Sequence, residues 1–126
     1  MELKKILVVD DEEDVRLFIS QTLSRMGYEV LEAETGEIGL QKFVEEKPDL
    51  VVLDVLLPRV SGWAILEEIK SNKENKAPVI MLTVKGADKD KLKGYIIGAD
   101  YYLSKPFSMQ ALLQVINNVT EDLAKQ

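Results

Sequence analysis

The sequence predicts an α/β fold in which a parallel sheet is covered by helices on both faces. Three observations carry this. Short apolar runs, Ile6-Leu7-Val8-Val9, Leu50-Val51-Val52-Leu53 and Val79-Ile80-Met81-Leu82, have the length and near-continuous hydrophobicity of buried parallel strands. Apolar residues at helical spacing recur between them, the alternation that builds a parallel sheet. Each run also ends in a carboxylate or a hydroxyl, at Asp10-Asp11, Asp54 and Thr83, and a fourth run, Tyr101 to Ser104, ends at Lys105-Pro106. In an open parallel sheet, ligands bind outside the carboxyl ends of the strands.

The elements follow in order. After the first strand, Val15, Phe18, Ile19, Leu23 and Met26 recur at helical spacing, and Gly27 stops the helix. One of Asp11, Glu12, Glu13 and Asp14 can cap its start, where acids are favoured. Glu29 to Ala33 reads as a short second strand. Thr35 can cap a helix running to about Glu46, with Ile38, Leu40 and Phe43 as its apolar positions. Pro48-Asp49 punctuates before the third strand. Gly62 to about Ser71 forms a third helix with Ile65, Leu66 and Ile69 inward, and Asn72 to Pro78 is a polar loop. The fourth strand ends at Thr83. A fourth helix over 88–97 is stopped by Gly98, and the fifth strand is Tyr101 to Ser104. Ser108 caps a last helix with Leu112, Val115, Ile116, Val119 and Leu123 on its apolar stripe. Right-handed crossovers leave few topologies for five such βα units, and the flavodoxin-like strand order 2-1-3-4-5 is favoured. The expected organisation is one domain over residues 1–126, without repeats or linkers.

Composition narrows the chemistry. No apolar run approaches the roughly 18 residues of a spanning helix, and the start of the chain lacks a signal-peptide core. With no cysteine there are no disulfides or thiolate metal sites, and with no histidine there is no serine–histidine triad. Any metal site must be built from oxygen, which favours magnesium, calcium or manganese. A net charge of −6 opposes direct binding to nucleic acid. The cytoplasm is the expected compartment.

Asp10, Asp11, Asp54, Thr83 and Lys105 thus converge on one edge of the sheet. Acids at Asp10 and Asp11 facing Asp54 repel one another unless a cation joins them, and oxygen ligands with room for water suit magnesium. A carboxylate such as Asp54 is a competent nucleophile toward phosphorus once its charge is offset, giving an aspartyl-phosphate. Lys105 can pair with a carboxylate or a phosphoryl oxygen. Pro106 permits a cis peptide bond that would fix the turn aiming Lys105.

The segments Val8-Val9-Asp10-Asp11-Glu12, Leu53-Asp54 with Pro58 and Gly62, Thr83, Gly98-Ala99-Asp100 and Lys105-Pro106-Phe107 occur in one order on these elements. Together they resemble the receiver domain of two-component response regulators, the CheY-like family, over essentially the whole chain. The resemblance implies that Asp54 is the phosphoacceptor, that Asp10, Asp11 and Asp54 with the backbone carbonyl of Leu56 hold magnesium (or manganese), and that Thr83 and Lys105 bind the phosphoryl group. It implies that Tyr102 is the aromatic switch that turns inward when Thr83 is recruited. It further implies phosphotransfer from a phosphohistidine of a sensor kinase or phosphotransfer protein. The output partner would be controlled through the surface of the fourth helix, fifth strand and fifth helix. The chain would act as a signalling domain rather than an enzyme, as a monomer or a phosphorylation-dependent dimer, away from membranes.

Some residues depart from the family pattern. Val84 stands where a small residue is preferred, and Leu56 and Lys85 offer no carboxylate or amide to orient an attacking water, which points to a long-lived phosphorylated form. Tyr101 replaces the second acid of the common Ala-Asp-Asp-Tyr stretch. The last helix lacks an arginine used in charged dimers of relatives fused to winged-helix domains. Ile96, if exposed, would make the fourth helix a docking surface. Two alternatives stand beside this reading. A magnesium-dependent aspartyl-phosphate phosphohydrolase would want its nucleophile after the first strand, and a cap domain. A degenerate receiver used only for docking would not need the intact constellation.

Overall fold

The strands form where the apolar runs lie, and the runs that end at Val9, Leu53 and Leu82 are packed on both faces. The computed structural model describes residues 2–84 and 98–125. Its strands are β1 (Lys5–Val9), β2 (Glu29–Ala33), β3 (Leu50–Asp54), β4 (Val79–Val84) and β5 (Tyr101–Lys105). All pair in parallel, in the order β2-β1-β3-β4-β5, as expected. β3 is buried along its whole length, whereas β2 and β5, at the edges, are only partly buried. Charged residues such as Glu29 and Glu32 on an edge strand also discourage pairing with another chain.

The described helices are α1 (Glu13–Arg25), α2 (Gly36–Glu46), α3 (Gly62–Ser71) and α4 (Met109–Ala124), the last being the fifth helix of the sequence pattern. The helix expected over 88–97, with Lys85 and Ile96, lies outside the described residues. Thr35, Ser61 and Ser108 cap α2, α3 and α4, their side-chain oxygens accepting from Ile38, Trp63 and Ala111 N–H groups. α1 ends at Gly27, whose φ of 98° is a left-handed conformation that glycine adopts without a steric cost. Among the described residues no helix is long and apolar enough to cross a membrane.

Alternation along the strands divides the core in two. Leu7, Val9, Val51, Leu53, Val79 and Met81 pack with Phe43, Trp63, Ile65, Leu66 and Ile69 under α2 and α3. Ile6, Val8, Leu50, Val52, Ile80, Leu82 and Leu103 pack with Ile19, Leu23, Leu112, Ile116, Val119 and Leu123 under α1 and α4. The register aligns the strand ends. Val9 lies beside Leu53, so Asp10 and Asp54 leave the sheet side by side, and Val84 lies beside Lys105. β4 and β5 each run one residue beyond the expected ends, because that last pair extends the ladder.

Gly62 makes the end of β3 possible. A Cβ there would lie 2.1 Å from the Asp54 carbonyl oxygen and 2.7 Å from Val55 Cα. Gly62 N–H also donates to the Val55 carbonyl at 2.9 Å. The start of α3 therefore rests directly on the backbone that carries Asp54. Gly62→Ala is expected to lower stability by about 2–4 kcal/mol, the range of overpacked cores, read as the shift in a urea unfolding midpoint.

Candidate functional site

The strand ends bring together Asp10, Asp54 and Lys105. Asp10 is fully buried and Asp54 nearly so. Lys105 Nζ lies 2.9 Å from Asp10 Oδ2 and 3.1 Å from Asp54 Oδ2. It also donates to Glu12 Oε1 at 2.9 Å. Oxygens of Asp10, Glu12 and Asp54 all lie within 4.8 Å of one another. Asp10, Asp54 and Lys105 continue the strand rows that face α1 and α4, since they follow Val8, Val52 and Leu103 by two residues.

Local structure fixes the two acids. Asp10 N–H donates to the Ala33 carbonyl at 3.1 Å, and Arg16 Nη1 donates to the Asp10 carbonyl at 2.9 Å. Arg16 is itself held by Glu32 at 3.1 Å. Asp10 Oδ1 accepts from Glu12 N–H at 2.9 Å, and Asp54 Oδ1 accepts from Leu56 N–H at 3.1 Å. Asp10 Oδ2 is buried and, although charge-paired with Lys105, is not in hydrogen-bond geometry with any described residue.

Thr83 is buried, and its Oγ1 has no hydrogen-bond partner among the described residues. It continues the row of Val79 and Met81, on the opposite face from Asp54. Tyr102 is half-buried on that same face, beside Met81 in register and packed against the same cluster. Asp11 is exposed and is not one of the carboxylates gathered around Lys105. Leu56, whose N–H donates to Asp54, and Val84, in register with Lys105, are 63% and 51% exposed. The Lys105–Pro106 peptide is cis. Beside it, Phe18 and Phe107 meet with ring centroids 6.1 Å apart and border a groove of about 200 Å³ that reaches Lys105. The Tyr101 hydroxyl donates to Asp122 of α4.

Sequence reasoning missed two contributors. Glu12 occupies the N-cap position of α1, within the span considered for capping, but its side chain makes no cap hydrogen bond and turns to Lys105. Arg16 pins the Asp10 carbonyl. Its sequence signal, a basic residue one turn into a helix that opens with acids, is too common to have singled it out.

The sequence profile of the response regulator receiver domain matches residues 6–117. The chain belongs to the response regulator receiver domain family. The alkaline phosphatase synthesis transcriptional regulatory protein PhoP of Bacillus subtilis is 47% identical over 105 residues, covering 83% of this chain and 43% of that protein. The probable transcriptional regulator ycf27 of Pyropia yezoensis is 45% identical over 116 residues, covering 92% and 47%. The chain spans about half the length of these curated relatives. Among solved structures, a CheY-like receiver domain protein from Methanospirillum hungatei superposes with a TM-score of 0.90 at 31% identity, covering 98% of each chain.

Electrostatics sharpen the receiver's site. Burial and the neighbouring Asp10 charge raise the Asp54 carboxyl from its ordinary 3.8 to about 6, against the opposing pull of Lys105 and the Leu56 N–H. Burial alone would lower the Lys105 ammonium, but its contacts with Glu12 and Asp10 and the charges of Asp54 and Asp10 outweigh it and hold the group above the usual lysine range. Folded Asp54 keeps its proton more tightly than the unfolded chain does, so its contribution to stability falls as pH rises from about 4 to about 6 and stays low above that. With metal chelated, Asp54→Asn is expected to stabilise the fold by on the order of 2 kcal/mol at pH 8, and by progressively less toward pH 4. Chemical unfolding across that pH series measures it, and a gain that does not shrink toward low pH would contradict the raised carboxyl.

Proposed function

We propose that this receiver accepts a phosphoryl group onto Asp54 from a phosphohistidine of a sensor kinase or phosphotransfer protein. The observation that carries the proposal is the convergence of two buried carboxylates, Asp10 and Asp54, on the Lys105 ammonium at the end of the sheet. The Asp54 oxygen forms the new O–P bond as the N–P bond of the donor breaks, and the leaving imidazole keeps the electron pair and takes a proton. Above about pH 6 Asp54 is a carboxylate and ready to attack. Lys105 then pairs with the phosphoryl oxygens, so the chain supplies positioning and charge neutralisation, the two needs of phosphoryl transfer.

A divalent cation fits this donor set. Every candidate ligand is an oxygen, carboxylate oxygens of Asp10, Glu12 and Asp54, though not of Asp11, lie within 4.8 Å of one another, and the buried Asp10 Oδ2 has no hydrogen bond among the described residues beyond its charge pairing with Lys105. Asp10, Asp11, Asp54 and the Leu56 carbonyl would hold magnesium, with manganese as a substitute. The bound ion would neutralise charge on the transferring group. Thr83 Oγ1, buried and without a partner among the described residues, is available to donate to a phosphoryl oxygen. Tyr102 shares the face of Thr83, which supports its reading as the aromatic that follows Thr83.

In this reading the chain is a single receiver domain over residues 1–126 that works in the cytoplasm, as a monomer or a phosphorylation-dependent dimer. It controls an output protein or domain through β5, the last helix and the helix expected over 88–97. It contacts neither nucleic acid nor membrane itself. It is a phosphoacceptor that catalyses its own modification and its slow reversal, rather than an enzyme acting on a separate substrate.

Incubation with a small phosphodonor and magnesium is expected to add the mass of one phosphoryl group, and Asp54→Asn to abolish the gain. Turnover of generic phosphate esters without a stable adduct would instead indicate a phosphohydrolase. Leu56 and Val84 border the acceptor with apolar, exposed side chains and give an attacking water no acid or amide to bind. Leu56→Asn and Val84→Ala are each expected to shorten the phosphoryl half-life about threefold or more, by orienting water or widening its access. Unchanged half-lives in both variants would remove these residues as the cause of slow hydrolysis.

A further inference from the structure

Glu12 is spent on Lys105 rather than on its own helix. It sits at the N-cap of α1 with φ −79° and ψ 112°, the extended backbone of a capping residue, yet makes no side-chain cap bond. The other three described helices each have a side-chain cap. Glu12 Oε1 instead accepts from Lys105 Nζ at 2.9 Å, across 93 positions of sequence. Its N–H is meanwhile tied to Asp10 Oδ1, so the backbone is pinned beside the site while the side chain reaches out of it.

The three carboxylates that share Lys105 are not equivalent. The side chains of Asp10 and Asp54 are 0% and 4% exposed, and that of Glu12 is 60% exposed. If a divalent cation takes the Asp10 and Asp54 oxygens, like-charge repulsion drives the Lys105 ammonium away from them. Glu12 is the partner free to follow it outward, because its carboxylate already lies at the solvent side of the cluster.

We infer that Glu12 is a positioning residue for Lys105. It shares the ammonium with Asp10 and Asp54 while the cluster holds no divalent cation, and it retains the ammonium at the mouth of the site, beside Asp54, when one binds. This rests on the receiver reading and deepens it. Its consequence is that Glu12 affects cation affinity through Lys105. Without Glu12, Lys105 has no outer partner among these acids and competes harder for Asp10 and Asp54. If Glu12 were itself a cation ligand, its effect would not depend on Lys105.

A double-mutant cycle separates these cases. Manganese binding is measured by titration calorimetry at one pH for the wild-type chain, Glu12→Gln, Lys105→Gln and the double variant, with circular dichroism confirming that each is folded. Lys105→Met serves as a second background should Lys105→Gln not fold. Glu12→Gln is expected to weaken manganese binding about tenfold when Lys105 is present, and less than about twofold when it is replaced. Equal losses in both backgrounds, or no loss in either, overturn the inference. Phosphoryl gain by the wild-type chain from a small phosphodonor tests the receiver reading separately. A wild type that binds manganese and is phosphorylated, but shows equal losses, rejects the role of Glu12 alone. A wild type that does neither rejects both.

Discussion

Two buried acids and one shared ammonium organise this molecule. Asp10 and Asp54 leave neighbouring strands at the same level because Val9 and Leu53 are in register. Two carboxylates that close, with little water, repel strongly. Lys105, which ends a strand two places away from β3, offsets that repulsion, and the N–H groups of Glu12 and Leu56 take the remaining oxygens. Burial first, and the Asp10 charge second, still hold the Asp54 carboxyl above its ordinary value against the pull of Lys105. The site therefore costs stability as it stands and gains from added positive charge. Such a cost is expected where function, rather than packing, sets the residues.

The rest of the fold holds this arrangement rigid. β3 is enclosed on both faces, so Asp54 projects from a strand with little freedom to shift. Gly62 lets the first turn of α3 rest on the Asp54 backbone. Arg16, anchored by Glu32 of the edge strand, steadies the Asp10 carbonyl from α1. A reacting group placed at Asp54 would thus meet side chains whose own positions are already set, the condition for catalysis by positioning.

The two faces of the sheet divide the labour. Asp10, Asp54 and Lys105 belong to the face under α1 and α4, while Thr83 and Tyr102 belong to the face under α2 and α3. A change at Asp54 that recruits Thr83 would cross from one layer of the core to the other. Close-packed layers respond to such a change by discrete shifts rather than gradual ones. Tyr101, whose hydroxyl donates to Asp122, ties β5 to the last helix.

The strands, their order, the described helices and two of the helix caps, Thr35 and Ser108, were legible in the sequence, because continuous apolar runs, helical spacing and capping residues are local signals. Asp10, Asp54, Thr83 and Lys105 were legible as strand-end residues for the same reason, and the structure gathers the two acids and the lysine into one cluster. The faces on which they lie depend on register, since a shift of one residue reverses every side chain on a strand. The partner of Glu12 was not legible either. A cap bond and an ion pair compete for the same carboxylate, and which one forms depends on how near β5 ends to β1. That distance is fixed by the order and register of the sheet, long-range properties that no segment of the chain encodes alone. The sequence by itself determined which residues reach the edge of the sheet, and the tertiary structure decided which of them touch.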